Sequence, residues 1–234
     1  MVFPEMCISG YWHVRNLSRE QIDTLSDDIG NGLSPQYLKR LTKEYNLIIV
    51  AGLIQKAPNG ALYNTYVAAQ PDGCVHSHRK LHCFISRHMS SHQDYTDFDS
   101  HLGVRIGILV CYDNNLVENA SKGPNRREWL LRWLPSRAHD NGMFILFSNG
   151  VGRDDDELRT GNAMIIDCYG RILAKTWKAE NNMVIAELDL TLLDRCTGRR
   201  WLRARRPKLC TRLAKSTGKE LSPREARFSQ DSTE

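Results

Sequence analysis

The run Gly103-Val-Arg-Ile-Gly-Ile-Leu-Val110 ends at Cys111, and Tyr112-Asp113-Asn114-Asn115 follow at once. An apolar, partly β-branched run that stops at a cysteine and gives way to polar, helix-capping residues predicts a strand with a sharp turn at its carboxyl end. Its near-continuous apolar character predicts burial on both faces, which confines the fold to an α/β class with covered sheets. Open α/β sheets bind ligands beyond the carboxyl ends of their strands. A side chain on the elbow projects there, so Cys111 is a candidate nucleophile, placed as serine is in the elbow of other hydrolases. The competing reading is a buried thiol serving as a small hydrophobe, the commoner fate of a free cysteine.

The surrounding pattern fits a mixed α/β domain. Ser34-Pro35 predicts an N-cap and a first-turn proline, with Leu38, Leu41 and Tyr45 on one face of the helix that follows. Residues 47–54 and 62–69 predict paired strands, because Lys56-Ala-Pro-Asn-Gly60 between them is a turn cluster. Residues 125–141 predict a helix that Pro135 kinks or restarts, and residues 143–148 a buried strand. Residues 163–167, 172–177 and 183–188 predict further strands joined by tight turns.

Composition narrows the function. With 41% hydrophobic and 25% charged residues over 234 positions, the chain reads as an ordinary globular protein, and no stretch approaches the ~20 apolar residues of a membrane span. No secretory signal is visible at the amino terminus, and no membrane partner is expected. Seven cysteines, odd in number and without a Cys-x-x-Cys pair, argue against a disulfide framework and point to a reducing, cytoplasmic setting. Residues 195–215 carry nine basic side chains and no acid. Aromatics are missing from that segment apart from Trp201, so no nucleic acid is expected there, and a solvated segment or one facing acidic groups of a partner subunit fits better. The reading is one domain over residues 1–195, a basic segment at 196–215 and an unstructured tail at 216–234, where apolar residues nearly vanish. Six histidines between positions 76 and 101 raise the question of a metal site, but they do not fall into a zinc-ligand pattern, and no metal is expected.

Acyl transfer by a thiol needs a base and a positive charge where the oxyanion forms. Lys80 lies in the basic cluster His78-Arg79-Lys80-Leu81-His82, and its point charge suits an oxyanion and lowers the pKa of a nearby thiol. Glu5 follows Pro4 at the end of the short apolar segment Val2-Phe3, where an acid stands at a sheet edge. Each is weak alone, since most lysines and glutamates simply face solvent.

Together the residues carry a resemblance. Phe3-Pro4-Glu5 with Gly10-Tyr11, Leu62-Tyr63-Asn64-Thr65, Pro71-Asp72-Gly73, Arg79-Lys80-Leu81-His82 and Gly107-Ile-Leu-Val-Cys111-Tyr112-Asp113 resemble, in order, the nitrilase (carbon-nitrogen hydrolase) superfamily. Arg137-Ala138, Asn141-Gly142, Ser148-Asn149 and Asp167-Cys-Tyr-Gly170 extend the likeness to about residue 190. The resemblance implies an α-β-β-α sandwich, a homo-oligomer, no cofactor, and cleavage of a small-molecule amide, carbamoyl or nitrile bond through a thioester. It assigns Cys111 as nucleophile, Glu5 as general base and Lys80 as oxyanion stabiliser, with Tyr112 and Asn114 near the substrate. Cys-Tyr-Asp looks closer to the amidase and carbamoylase branches than to true nitrilases.

Three departures are visible. Relatives carry a strand and helix before the Phe-Pro-Glu segment; Arg87 stands where many amidases carry a second glutamate; and residues 119–125 look like a junction across a shortened stretch. A second reading follows from them: a shortened, catalytically inactive nitrilase-like chain that serves as a subunit.

Overall fold

The computed structural model describes residues 1–114, 126–211 and 214–228. In chain order the elements are α1 (Arg19–Thr24), β1 (Ser26–Asp27), α2 (Leu33–Tyr45), β2 (Ile49–Lys56), β3 (Leu62–Ala69), β4 (Val75–Arg79), β5 (Met89–Ser90), β6 (Thr96–Asp99) and β7 (Arg105–Ile108). They continue with α3 (Arg126–Asn141), β8 (Ile145–Ser148), β9 (Val151–Asp154), β10 (Glu157–Thr160), β11 (Ala163–Ile166), β12 (Ile172–Thr176), α4 (Leu192–Arg195), α5 (Thr197–Arg203) and α6 (Pro223–Phe228). The chain forms two units. The first takes residues 1–114, the hairpin tip at 153–159 and residues 221–228; the second takes residues 126–152 and 160–220.

The first unit is built on a sheet ordered β1-β2-β3-β4, with β5 also pairing β3. β2 and β3 are antiparallel from Ile49↔Ala69 to Lys56↔Leu62, as the turn cluster between them predicted. Their residues are apolar on both sides because both faces are covered, and the period of two sorts them. Ile49, Ala51, Leu53, Val67 and Ala69 pack with Leu38 of α2, while Val50, Tyr66 and Ala68 pack with Phe98, Ile108 and Val110. α2 starts two residues earlier than Ser34-Pro35 suggested, with Gly32 as its N-cap, and Tyr45 is exposed while Thr42 takes the buried position on that face.

β7 differs from expectation. Among the described residues it pairs only with β6, in a two-stranded ladder, and Arg105 and Gly107 are exposed while Ile108 and Val110 are buried. The strand is covered on one face, against the β2–β3 sheet, and its alternation is that of a half-buried strand.

In the second unit β8, β11 and β12 form an antiparallel sheet with β11 central, and Leu130, Leu134 and Ala138 of α3 pack on Met164 and Ile166. α3 runs through Pro135 without a break. β8 is less buried than expected, with Leu146 46% exposed, and residues 183–188 form no strand: they run on without a ladder partner among the described residues. α5 lies against the end of α3 through two glycines, since a Cβ on Gly198 would stand 2.2 Å from the His139 carbonyl oxygen and one on Gly142 would stand 2.4 Å from the Arg199 nitrogen. The tail read as unstructured contains α6, whose Arg224 donates to the Phe84 carbonyl at 3.1 Å and whose Phe228 ring meets the Phe84 ring. One aromatic and one arginine suffice to dock a short helix that composition alone marks as polar.

Candidate active site

Three segments of the first unit bring the predicted chemistry together. The first runs from the amino end across β2. Val2 bridges Val50, Phe3 N–H donates to the Val50 carbonyl at 2.8 Å, and the Tyr66 hydroxyl donates to the Phe3 carbonyl at 2.7 Å. Residues 5–9 then turn tightly over Gly52, with Met6 in the left-handed region at φ 47°. Gly52 is required by contact: a Cβ there would lie 2.2 Å from the Met6 nitrogen and 3.1 Å from the Glu5 carbonyl carbon. This close crossing is what holds Glu5.

Glu5 Oε1 accepts from Lys80 Nζ at 2.6 Å and from Asn64 Nδ2 at 2.7 Å. Asn64 is on β3, fully buried, and Lys80 is the residue after β4, 1% exposed. The backbone pairs them too, since Lys80 N–H donates to the Asn64 carbonyl at 2.8 Å. A buried ammonium is costly unless paired, and here it is paired with a carboxylate while its Nζ stands 4.9 Å from the Phe84 ring and 5.5 Å from the Tyr11 ring. Burial works against the Lys80 charge, but Cys111, once ionised, and Glu5 outweigh it and hold the ammonium pKa well above its usual value. Lys80 stays a cation.

The second segment is the elbow. Cys111 has φ 48°, a left-handed conformation that a non-glycine residue adopts at a cost, and it opens a 3₁₀ turn to Asn114. The residue is open to solvent, and its thiol is near enough to Glu5 and Lys80 for both to act on it. Burial of the sulfur, and then the negative charge of Glu5, push the thiol up to about 11, with Lys80 and Arg159 pulling the other way. The resting group is therefore a neutral thiol, and it would act as a nucleophile only with a base to take its proton.

Asp113 ties this elbow to Lys80. Its carboxylate accepts from the N–H groups of Leu81 at 3.1 Å, His82 at 2.9 Å and Val110 at 3.3 Å, and stands 3.1 Å from His82 Nδ1 and 3.5 Å from the fully buried His78. Burial would raise its pKa, but the nearby His78 ring and the hydrogen bonds from Leu81 and His82 win and hold the carboxyl below the usual range. The Tyr112 ring lies 6.2 Å from His82 and 5.7 Å from Phe84, which in turn flanks Lys80. Asn114 closes the turn; Asn115 and the junction at 119–125 lie outside the described residues.

The third segment is the hairpin tip between β9 and β10. It is fixed to residues 12–16: Asp154 accepts from Trp12 N–H at 2.7 Å, Asp156 from Trp12 Nε1 at 2.6 Å and Arg15 Nη2 at 2.7 Å, and Asp155 from Asn16 at 2.9 Å. Just beyond, Arg159 lays its guanidinium 4.5 Å from the Tyr11 ring.

Sequence reading thus named Glu5, Lys80 and Cys111, and the structure brings all three together. Asn64, Asp113 and Tyr11 sat inside the quoted motifs without being singled out, because a buried polar residue declares itself only through its partners. Arg159 carried no signal in the sequence, and its strand β10 was not among those expected. The histidines are spread over separate tasks: His76 stacks on Phe98, His101 meets Gln70, His92 faces Asp94, and His78 and His82 face Asp113. No group of three or more His, Cys, Asp or Glu able to hold a metal ion occurs among the described residues. Nor is any described helix long and apolar enough to cross a membrane.

The architecture is that of a known class. The carbon-nitrogen hydrolase of Helicobacter pylori G27 aligns over 92% of this chain and 85% of its own, with a TM-score of 0.76 at 19% identity. Nit3 of Saccharomyces cerevisiae, a member of the nitrilase superfamily, aligns over 83% and 78% with a TM-score of 0.67 at 23% identity. The fold is of the nitrilase type.

In sequence, the carbon-nitrogen hydrolase family profile matches residues 1–197. The 2-oxoglutaramate amidase of Bacillus subtilis is 31% identical over 212 residues, covering 81% of this chain and 78% of that enzyme. The chain belongs to the carbon-nitrogen hydrolase family, in its amidase-like branch, and is by class a hydrolase of carbon–nitrogen bonds other than peptide bonds.

Proposed function

We propose that the chain hydrolyses a small-molecule amide through a thioester on Cys111, with Glu5 as general base and Lys80 as oxyanion stabiliser. The observation that carries this reading is the shared Glu5 carboxylate, bonded at 2.6 Å to the buried Lys80 ammonium and at 2.7 Å to Asn64, with its charge felt by the Cys111 thiol. Glu5 takes the thiol proton as Cys111 Sγ bonds to the amide carbon, and the carbonyl electron pair moves onto oxygen, facing Lys80 Nζ. The tetrahedral adduct collapses, Glu5 returns the proton to nitrogen, and ammonia or an amine leaves. Water, deprotonated by Glu5, then adds to the thioester; collapse releases the carboxylic acid and restores the thiol. A nitrile or a carbamoyl group would use the same three residues. Asp113 holds the Cys111 and Lys80 segments in register, and Tyr112 and Asn114 border the substrate.

The family match over residues 1–197 supports taking residues 1–195 as the hydrolase domain. All seven cysteines are free, which fits the cytoplasm, and the exposed Leu158, Met183 and Ile185 fit a homo-oligomer that covers them.

Incubation of the protein and of Glu5→Gln with simple aliphatic amides, followed by intact-mass and peptide mass spectrometry, tests the reading. An acyl adduct on Cys111 that the wild type turns over and Glu5→Gln forms or releases at least about 10²-fold more slowly is expected. A folded wild-type protein that neither forms an adduct nor releases ammonia would refute the proposal and favour the inactive subunit.

A further inference from the structure

Residues 199–211 are exposed without exception, although a helix normally buries one face. Six cations fall within ten positions of this run: Arg199, Arg200, Arg203, Arg205, Arg206 and Lys208. None of them pairs with a carboxylate among the described residues. Like charges at this density repel one another, so the fold holds the segment against a cost. The match to the hydrolase family ends at residue 197, which places all six cations beyond it. α5 is nonetheless anchored: Gly198 lies against the His139 carbonyl oxygen with no room for a Cβ, and the Trp201 ring meets the His139 ring edge-on at 5.4 Å. Among the cations stand apolar side chains that the protein leaves open, with Trp201 51%, Leu202 37% and Leu209 66% exposed.

The surface calls for a partner that is anionic and offers an apolar layer beneath its charge. A second copy of this chain does not meet the first demand, because its acidic clusters are already taken: Asp154, Asp155 and Asp156 by residues 12–16, Asp97 and Asp99 by Arg105, and Asp23 by Lys56. Nucleic acid meets the first demand but not the second, since bases stack on aromatics, of which the segment has one, and gain little from leucine. An anionic bilayer meets both: its headgroups neutralise arginine and lysine, while Trp and Leu enter the boundary of the acyl layer. Such a contact needs no membrane-spanning helix.

We propose that residues 199–209 are a docking surface for a bilayer rich in anionic lipid, with the six cations on the headgroups and Trp201 and Leu209 at the acyl boundary. Arginine suits the position, because its stem lies along apolar surface while the guanidinium meets phosphate. The chain is thereby held on the membrane reversibly, by charge first and apolar contact second.

The test is flotation of the full chain with phosphatidylcholine vesicles that contain about 30% phosphatidylserine or none. The wild type should float with the anionic vesicles and stay behind with the neutral ones. Raising salt from about 0.1 to about 0.5 M should release it, because the screening length falls from about 10 Å to about 4 Å. Arg203→Gln, Arg205→Gln and Arg206→Gln combined should lower the partition coefficient by about 10²-fold, at about fivefold for each cation. Leu209→Ser should lower it by about 3- to 10-fold. All four positions are exposed, so melting temperatures should match the wild type. The lipid and salt comparisons use the wild type alone and stand even where a variant fails to fold. Equal flotation with both vesicles, no flotation with either, or flotation that the folded triple variant retains overturns the proposal. So does vesicle binding that Leu209→Ser leaves unchanged while a single-stranded oligonucleotide binds as tightly, which would make the segment a nucleic-acid site. Self-association in sedimentation velocity that the triple variant loses, with no vesicle binding by the wild type, would assign the cations to a contact between copies.

Discussion

The two strands that lead into the site are held very differently. β3, which carries Asn64, lies between β2 and β4, pairs along its whole length and is buried on nearly every residue. β7, which leads to Cys111, has one partner among the described residues, four register pairs and one open face. Glu5 and Lys80 thus sit on the rigid side, and Cys111 on the lightly supported side. What compensates is Asp113, which binds the backbone on both sides of the gap, at Val110 and at Leu81 and His82. A site can tolerate a thinly paired strand when a buried carboxylate clamps its end, because charge-assisted hydrogen bonds are short and directional.

Breaking the rigid side should cost most. Gly52→Ala puts a Cβ into the Met6 backbone and pushes the Glu5 turn off β2. Amide turnover should fall by about 10²-fold or more, with about 1–3 kcal/mol lost in denaturant unfolding. Turnover at the wild-type level would show that Glu5 does not depend on that crossing. Asp113→Asn should come next. It removes the charge that the elbow shares with the Lys80 segment, costing about 1–3 kcal/mol and loosening Cys111, so that Cys111 alkylation by iodoacetamide changes rate while a remote thiol such as Cys210 does not. Equal effects on both thiols would mean general unfolding and not a local clamp.

The pH dependence sharpens the comparison further. The thiol pKa of Cys111 is raised, so the folded state favours the protonated form. The stability associated with that group is complete below the unfolded thiol value, near 9, and is lost as pH rises through about 11. Thermal unfolding of the wild type should fall across that window more steeply than that of Cys111→Ala, and iodoacetamide labelling of Cys111 should keep rising up to about pH 11. Labelling that plateaus below pH 8 would mean a preformed thiolate. The smallest effect belongs to Arg105 on the open face of β7. Its pairs with Asp97 and Asp99 are solvent-exposed, and Arg105→Ala should leave the melting temperature unchanged. A clear drop would show that β7 is supported from that face.

Much of this was legible beforehand where the signal was local. The 47–54 and 62–69 runs with a Pro-Asn-Gly turn between them could hardly form anything but a hairpin, and β2 and β3 are that hairpin. Cys111 at the end of an apolar run is the elbow the run predicted, with its backbone at positive φ. The misreadings were failures of neighbourhood. Apolar residues at 103–110 and 183–188 show that a strand would be favourable, not that another strand is beside it. One became half-covered, and the other stayed unpaired among the described residues.

The sequence by itself determined which groups are available, since a thiol, a carboxylate and a lysine in recognisable contexts are properties of residues and their immediate neighbours. Only the tertiary structure decided which of them share an atom. Glu5 meets Asn64 across 59 positions and Lys80 across 75, and the hairpin that delivers Arg159 is fastened to Trp12 across 142. Hydrogen bonds and charge pairs act over a few ångströms of space and are blind to distance along the chain, so the contacts of Asp113 and Asn64 exist only once the sheet has closed that distance.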